Sequence, residues 1–321
     1  MAIKHNHPLS AVAPASVLAE PKIHPDHEEI DRDVISYLVH TWEWPSEKAK
    51  KGFVSWKLSD VVLFMFPTGD TTRVKLACEL LLLGFLMDDW FDNNSFPANT
   101  ALVTRLQSLL ASPSTFTTLT TIERMHATLF ARILAVQSTV LPPTTSRAIL
   151  TTYLDMLACH CDASRGAATA LRDYLVFREV DVGMPICVEL LYWTEDLAMR
   201  EGERAALAPL ERVANYHVSI LNDVFSFERE WQAARTLGQG AVLVNGVRIL
   251  ADETAVSVGA AKSLCLALVR AWEVEFQTMV EEVLERVRGG DGEERLRRAV
   301  LGIERRMTGA EAFSWRTSRY L

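Results

Sequence analysis

The feature that most restricts the fold of this chain is a strongly apolar segment that ends in a cluster of carboxylates. Residues 76–87 leave almost no polar face, and a helix that is apolar on all sides is normally buried. The run Asp88-Asp89-Trp90-Phe91-Asp92 follows directly. Because buried unpaired carboxylates are very costly, these acids are expected at the rim of a helical core or facing a cavity.

The spacing within this acidic run favours a cation site. Asp88 and Asp92 are four residues apart and share one face of a helix, while Asp89 is turned about 100° away. Clustered carboxylates repel one another unless a cation lies between them. The alternative is an ordinary helix end that breaks into a turn at 92–95, where acidic residues are common.

A second oxygen-rich stretch lies in residues 222–230. Asn222, Ser226 and Glu230 are four residues apart and form one stripe on a helix, and residues 214–221 and 231–235 contain no Pro or Gly that would interrupt it. An amide oxygen, a hydroxyl and a carboxylate are hard ligands that suit Mg²⁺. A solvated polar face is the alternative interpretation of this stripe taken alone.

Together the two stretches indicate a Mg²⁺ site for a diphosphate, with the two clusters expected to face each other across a helical cavity. If the organic part is an allylic chain, loss of diphosphate leaves a carbocation that needs an apolar, water-free, aromatic-lined pocket. Four aromatic residues near the motifs are candidates for that lining, although an aromatic residue at such a position is more often part of the core: Phe85, Phe91, Phe225 and Trp315.

The composition favours an all-α protein that forms one helical bundle with a central cavity. The chain has 321 residues and is 49% hydrophobic, helix-forming residues dominate, and no series of alternating β-branched runs is present. Residues 1–28 carry four His and four Pro and are expected to form a flexible arm, followed by an α-helical domain over 29–321. Within it, 209–235 is expected to carry the second motif, 253–288 to form one long helix, and 293–306 to form a charged surface helix.

Charge and cysteine content limit the partners. The net charge of −8, without a basic stripe, argues against nucleic acid. No apolar stretch reaches the ~20 residues of a membrane span. Five scattered cysteines fit a reducing compartment, so a cytoplasmic location is expected.

At this point the chain resembles the class I terpene synthases, of the single-domain fungal and bacterial sesquiterpene synthase type. The residues that carry the resemblance are Asp88-Asp89-x-x-Asp92 and Asn222-Asp223-x-x-Ser226-x-x-x-Glu230, with Arg229 before the final Glu. Further matches are Arg178, 44 residues before Asn222, and the terminal Arg319-Tyr320 pair. The resemblance covers roughly residues 30–321.

The resemblance implies a role for each of these residues. Asp88 and Asp92 would bind two Mg²⁺ ions, and Asn222, Ser226 and Glu230 a third. The diphosphate would be bound by Arg178, Arg229, Arg319 and Tyr320. Catalytic roles are implied for Arg178, Asp181 and Gly183. Gly183 followed by Pro185 is the expected backbone break after the Arg178 helix, although Val182 could also supply the small residue there.

The resemblance therefore implies a lyase that ionises and cyclises an isoprenyl diphosphate, most simply farnesyl diphosphate, as a monomer or homodimer. Geranyl or geranylgeranyl diphosphate are alternative substrates. A chain-elongating prenyltransferase is a weaker alternative, because its second aspartate-rich motif is missing here, and a non-catalytic helical scaffold is weaker still, because all the ligands are present. The sequence leaves open the substrate length, the product, whether water quenches the final cation, and the role of the arm.

Overall fold

The computed structural model describes residues 14–112, 117–162, 164, 166–236 and 243–320. In these ranges the chain forms thirteen α-helices and a short 3₁₀ helix, and no strand, which confirms the expected all-α class. The helices are α1 (His27–Thr41), α2 (Glu47–Ser55), α3 (Ser59–Met65), α4 (Thr71–Asp92), α5 (Phe96–Ala111), α6 (Thr121–Ala135), α7 (Thr145–Cys159), α8 (Leu171–Asp181), α9 (Met184–Thr194), α10 (Glu201–Thr236), α11 (Gly246–Thr254), α12 (Val258–Arg286), α13 (Glu293–Arg316) and the 3₁₀ helix Ser318–Tyr320.

The chain divides into two compact units. The first unit comprises Ile23–Ala163 and Val180–Met199. The second unit comprises Ser164–Glu179 and Arg200–Leu321, together with the arm that ends at Lys22.

Helix α4 is the core element of the first unit. It packs against α1, α3, α6, α7 and α9, and most of its own side chains are buried. The expectation of a buried helix over 76–87 is therefore confirmed. Asp70 is the N-cap of the helix: its side chain accepts a hydrogen bond from the Arg73 backbone N–H and so satisfies one of the free donors of the first turn.

Two polar anchors fix α4 to its neighbours in the first unit. The Arg73 guanidinium donates to the Trp193 carbonyl at 2.8 Å and to the Asp196 carboxylate at 2.7 Å. The buried Glu79 carboxylate accepts a bidentate pair from Arg132 on α6. A buried carboxylate is tolerated in such a core because the guanidinium pairs with it.

Helix α10 has the same central place in the second unit. Its 36 residues correspond to a length of about 54 Å, and it packs against α11, α12 and α13. It begins eight residues before the predicted start at 209 and accommodates Pro209 within the helix. The second oxygen-rich motif lies in its C-terminal half.

Two helices differ from the sequence expectation. The predicted long helix 253–288 is confirmed as α12, but it begins later than expected, at Val258, because Thr254 ends α11 and Ala255 adopts a left-handed conformation (φ 53°) between the two helices. The predicted surface helix 293–306 extends to Arg316, and it has a long buried face that packs against α10.

Residues 14–17 of the N-terminal arm are bound to α12 in the second unit. Ser16 Oγ and the Val17 N–H donate to the Glu273 carboxylate at 2.9 and 3.0 Å, and Arg270 donates to the Pro14 carbonyl at 2.8 Å. Residues 1–13 of the predicted arm lie outside the described residues. The flexibility assigned to residues 1–28 stays a prediction.

Among the described residues, no helix on its own has the length and apolar character of a membrane span. Helices α11 and α12 reach that length and apolar character only when they are counted together, and the chain bends by 112° between them.

Candidate active site

The first acidic motif lies at the C-terminal end of α4. Asp88 and Asp89 are half-buried and Asp92 is exposed, whereas Phe91 is buried. Asp88 and Asp92 extend from the same side of the helix because they are one turn apart. The motif is therefore accessible to a cation, as expected for acids at the rim of a buried helix. Phe85, one turn earlier, is half-buried.

A histidine that the sequence did not single out stands beside this motif. The His160 ring stacks on Phe91 with ring centroids 4.9 Å apart, and His160 Nε2 lies 3.7 Å from Asp88 Oδ1. His160 follows α7 and is 72 residues from Asp88 in the chain, so no local spacing could have pointed to it.

The second motif presents its three oxygen-bearing side chains from α10. Asn222 and Glu230 are half-buried, and Ser226 is buried. Among the described residues, Ser226 Oγ has no hydrogen-bond partner. A buried hydroxyl without a partner is costly, and coordination to a divalent cation would satisfy it. The motif therefore fits a hard metal ion.

Arg178 on α8 connects directly to this motif. Its Nη2 donates to Asn222 Oδ1 at 2.9 Å, and its Nε donates to Asp223 Oδ1 at 3.2 Å. Arg178 is only 7% exposed. The structure thus joins Arg178 to the second motif, 44 residues later in the chain, by a buried contact, while its expected role as a diphosphate ligand stays a prediction.

Asp223 is the buried anion of this region. It accepts hydrogen bonds from the Tyr174 hydroxyl at 2.6 Å and from the Gly246 N–H at 2.9 Å, in addition to Arg178. Burial raises the pKa of Asp223 to about 6, against the opposing effect of the Arg178 guanidinium. Sequence reasoning missed Tyr174 and Gly246, because neither forms a recognisable spacing with the motif.

The C-terminal Arg-Tyr pair lies against the same motif. Asn222 Nδ2 donates to the Tyr320 hydroxyl oxygen at 2.9 Å, and Arg319 is buried. Burial raises the pKa of Tyr320, and the nearby positive charges of Arg319, Arg229 and Arg178 act in the opposite direction. These three cations and Tyr320 therefore share one electrostatic environment in the second unit.

Two of the predicted aromatic residues pack together in the second unit. The Phe225 and Trp315 rings meet edge to face with centroids 4.6 Å apart, and Phe225 also lies 6.4 Å from the Tyr320 ring. Phe225 is only 2% exposed, and Trp315 Nε1 donates to Glu311 at 3.1 Å. Their role as walls of a substrate cavity stays a prediction.

A sharp backbone break separates α8 from α9. Helix α8 ends at Asp181, which is buried, and Gly183 adopts a left-handed conformation with φ 82°. A Cβ at Gly183 would lie 2.7 Å from Met156 Sδ and would displace that side chain, and the left-handed backbone conformation disfavours any larger residue. Pro185 at the start of α9 fits the break because that position needs no N–H donor.

A second group of metal-binding residue types lies in the second unit, apart from these motifs. Ligand atoms of His217, Glu273 and Glu311 lie within 4.8 Å of one another. The Arg270 guanidinium bonds to both carboxylates, and His217 Nε2 lies 3.1 Å from Glu273. The guanidinium already supplies the positive charge that these carboxylates need, so this group is an internal ion-pair network.

Comparison with known proteins identifies the family. Residues 79–275 match the family model for terpene synthase family 2, C-terminal metal binding, a range that contains both oxygen-rich motifs. The helical fold and the motif geometry agree with that match. The chain belongs to this family of class I terpene synthases, and it is a terpene cyclase.

Within the family, the similarity to aristolochene synthases extends over nearly the whole chain. The chain is 31% identical to (+)-aristolochene synthase TS1 of Penicillium expansum over 96% of its own length and 90% of the relative's. It is 28% identical to aristolochene synthase of Aspergillus terreus over 97% and 95% of the two lengths. The crystal structure of aristolochene synthase from Penicillium roqueforti has the same fold, with a TM-score of 0.79 at 24% identity over 95% of this chain and 99% of that chain.

Proposed function

We propose that this chain ionises and cyclises farnesyl diphosphate in the presence of Mg²⁺ and releases diphosphate and a sesquiterpene hydrocarbon or alcohol. The observation that carries the proposal is the network around the second motif. Asn222 bonds to both Arg178 and Tyr320, so one proposed metal ligand is joined to two proposed hydrogen-bond donors to the diphosphate.

The relatives that this chain covers over most of their length support a fifteen-carbon substrate. The aristolochene synthases are covered over 85–95% of their length. The bifunctional sesterterpene synthase of Aspergillus aculeatus is covered over 20% of its length, and the cyclopiane-type diterpene synthase of Penicillium chrysogenum over 28%. A chain of this size is thus similar as a whole to the aristolochene synthases alone among these relatives.

The proposed metal ligands are Asp88 and Asp92 of the first motif and Asn222, Ser226 and Glu230 of the second, with three Mg²⁺ ions in all. When bound, Mg²⁺ supplies positive charge that stabilises the negative charge developing on the diphosphate leaving group. The chain contributes carboxylate, amide and hydroxyl oxygens, which are the ligands that Mg²⁺ prefers.

The basic residues would bind the diphosphate oxygens directly. Arg178, Arg229 and Arg319 donate N–H groups, and Tyr320 donates its hydroxyl. The allylic C–O bond breaks, its electron pair leaves with the diphosphate, and a carbocation remains. The cyclised cation then becomes a hydrocarbon by loss of a proton, or an alcohol by capture of water followed by loss of a proton, so no side-chain nucleophile is required.

The aromatic residues and the break after α8 complete the proposal. Phe85, Phe91, Phe225 and Trp315 would present ring faces to the carbocation, which such faces stabilise electrostatically. Asp181 and Gly183 lie at the break that follows Arg178. They would couple binding of the diphosphate by Arg178 to the conformation of the start of α9.

The experiment that tests the substrate is a panel of ten-, fifteen- and twenty-carbon isoprenyl diphosphates with Mg²⁺, analysed for volatile products by mass spectrometry. We expect cyclic fifteen-carbon products from farnesyl diphosphate. Cyclic products from only the ten- or twenty-carbon substrate would contradict the proposed chain length. Longer linear diphosphates after addition of isopentenyl diphosphate would favour a prenyltransferase instead.

Arg178 offers an independent test. Arg178→Lys keeps the charge but cannot donate simultaneously from Nε and Nη2 to Asp223 and Asn222. We expect a loss of turnover of at least roughly 100-fold, comparable to removal of one preorganised donor in other enzymes. Unchanged product formation would show that donation from both Nε and Nη2 of Arg178 is not needed for turnover, which would contradict this role.

We also infer a cytoplasmic location and a monomeric or homodimeric state. All five cysteines are free thiols, which supports a reducing compartment. Cell fractionation and light scattering test these two statements.

A further inference from the structure

A buried asparagine outside both motifs contacts the second motif. Asn245 is 0% exposed and lies at the N-cap of α11, 15 residues after Glu230. Its Nδ2 donates to Glu230 Oε2 at 2.9 Å and to the Asp223 carbonyl at 2.9 Å. Its Oδ1 accepts from the Val247 N–H at 2.9 Å. One side chain thus joins the start of α11 to two residues of α10 that are seven positions apart.

The bond to Glu230 has a specific consequence for a metal ligand. Glu230 is half-buried, and a flexible three-torsion side chain at such a position has many rotamers. The Asn245 amide restricts it by binding one carboxylate oxygen, and a carboxylate oxygen that accepts one hydrogen bond keeps a lone pair for a cation. Ligand carboxylates held in this way bind metals more tightly because less rotamer entropy is lost on binding.

The position of Asn245 is itself fixed by the next residue. The Gly246 N–H donates to Asp223 Oδ2 at 2.9 Å, and a Cβ at Gly246 would lie 2.6 Å from Ile220 Cδ1 and 2.9 Å from that carboxylate oxygen. Only glycine permits α11 to begin this close to α10. Asn245 therefore cannot withdraw from Glu230 without losing the contact between the two helices.

We propose that Asn245 is a positioning residue for metal binding, which holds the Glu230 carboxylate in the orientation that a divalent cation requires. The inference rests on the proposed function, because it takes Glu230 as a metal ligand. Asn245 touches neither metal nor substrate in this account, and it acts through Glu230.

The test separates this role from helix capping. Asn245→Ser keeps a good N-cap but is too short to reach Glu230. Ser257→Ala is the matched control, because it removes the N-cap of α12, whose hydroxyl oxygen accepts a hydrogen bond from the Ala260 N–H. For each protein, MgCl₂ is titrated into a solution of the protein and inorganic diphosphate, without isoprenyl substrate. Mg²⁺ binding is followed by calorimetry and by the rise in melting temperature.

For Asn245→Ser we expect the Mg²⁺ concentration at half-saturation to rise about 10–100-fold, the usual effect of removing a partner of a metal ligand. Ser257→Ala should leave it unchanged. In a Glu230→Ala background, Asn245→Ser should have no further effect on Mg²⁺ binding, because the group through which it acts is gone. If Asn245→Ser fails to fold, Asn245→Asp keeps the shape and the cap and should raise the half-saturation concentration in the same way.

If the Mg²⁺ concentration at half-saturation for Asn245→Ser lay within twofold of wild type, the inference would be overturned. It would also be overturned if Asn245→Ser raised that concentration by the same factor in the Glu230→Ala background as in wild type. A different result would overturn the proposed function itself: wild-type protein that binds no Mg²⁺ with diphosphate and turns over no isoprenyl diphosphate. The two failures are thus distinguishable, since the first requires a wild-type protein that binds and reacts normally.

Discussion

Single buried polar residues hold the region around the second motif together, and Asp223 is the strongest case. Its carboxylate is completely buried and neutralises Arg178 while accepting from Tyr174 and Gly246. Asp223→Asn removes the charge but leaves the guanidinium buried, so we expect a loss of about 3 kcal/mol in the free energy of unfolding. Urea unfolding of the metal-free protein measures it.

The matched control for that change is Asp252→Asn. Asp252 pairs with Arg248 at 2.7 Å on an exposed face of α11, and exposed pairs of this kind contribute less than about 1 kcal/mol. Equal losses for the two substitutions would show that burial does not determine the importance of Asp223.

Buried His126 in the first unit predicts a pH dependence of stability. It is 0% exposed, its Nδ1 donates to the Ile122 carbonyl, and its Nε2 accepts from Tyr153. Burial lowers the pKa of His126 from 6.5 to about 4. Between pH 6.5 and 4 the unfolded chain therefore binds a proton that the folded protein does not, and stability falls as the pH falls, by about 1 kcal/mol per pH unit.

His126→Asn should remove this part of the pH dependence, as measured by urea unfolding at pH 7 and pH 5. His40→Asn is the control, because His40 makes the same contact to a carbonyl four residues earlier but is exposed. If the free energy of unfolding of His126→Asn fell between pH 7 and pH 5 as much as that of wild type, His126 would not be the source of this pH dependence.

At the level of elements, the close approach of α11 to α10 predicts that a side chain at Gly246 destabilises the protein. A Cβ at Gly246 meets Ile220, Asp223 and Tyr174 at 2.6–3.0 Å, so Gly246→Ala should destabilise the protein by about 1–3 kcal/mol. Gly259→Ala in the first turn of α12 meets nothing within 4 Å and should cause no loss. Thermal unfolding of the two variants compares them directly, and a melting temperature for Gly246→Ala equal to that of wild type would contradict the packing described here.

The elements also show which parts of the fold the sequence could predict. Helix α4 was predictable because an all-round apolar run has few alternatives to burial, and the α8 break was predictable from Gly183 and Pro185. The break between α11 and α12 was not, since the left-handed residue there is Ala255, and neither Gly nor Pro marks it.

In the candidate site, too, some residues could be predicted from the sequence and others could not. The motif residues repeat at one-turn spacing, which a sequence reveals directly. Asn245, Tyr174 and His160 reach the motifs from other helices, and only folding brings them close. Their contribution depends on packing, which no local spacing encodes.

At the scale of the whole molecule, the N-terminal arm is joined to residues more than 250 positions later in the chain. Glu273 accepts from Ser16 and from the Val17 N–H, and it is itself buried with His217 and Arg270. Glu273→Gln should weaken this attachment, because the neutral amide accepts weaker hydrogen bonds than a carboxylate. We expect faster hydrogen exchange at the Val17 amide and faster proteolysis of the arm.

Glu275→Gln provides the control, since Glu275 is exposed and lies two residues further along α12. Equal exchange rates at Val17 in wild type and Glu273→Gln would show that this carboxylate does not hold the arm.

Turnover of farnesyl diphosphate as a function of Mg²⁺ concentration, compared between wild type and Glu230→Gln, decides whether the second motif binds Mg²⁺ for cyclisation. Glu228→Gln serves as the control, because Glu228 is exposed on the same helix and pairs with Lys262. We predict Mg²⁺-dependent release of diphosphate and a cyclic fifteen-carbon product from wild type and from Glu228→Gln. For Glu230→Gln we predict a loss of at least about 100-fold, because even residues that only support a metal ligand cost ~10–100-fold when changed. Equal turnover and equal Mg²⁺ dependence in Glu230→Gln and wild type would contradict the account.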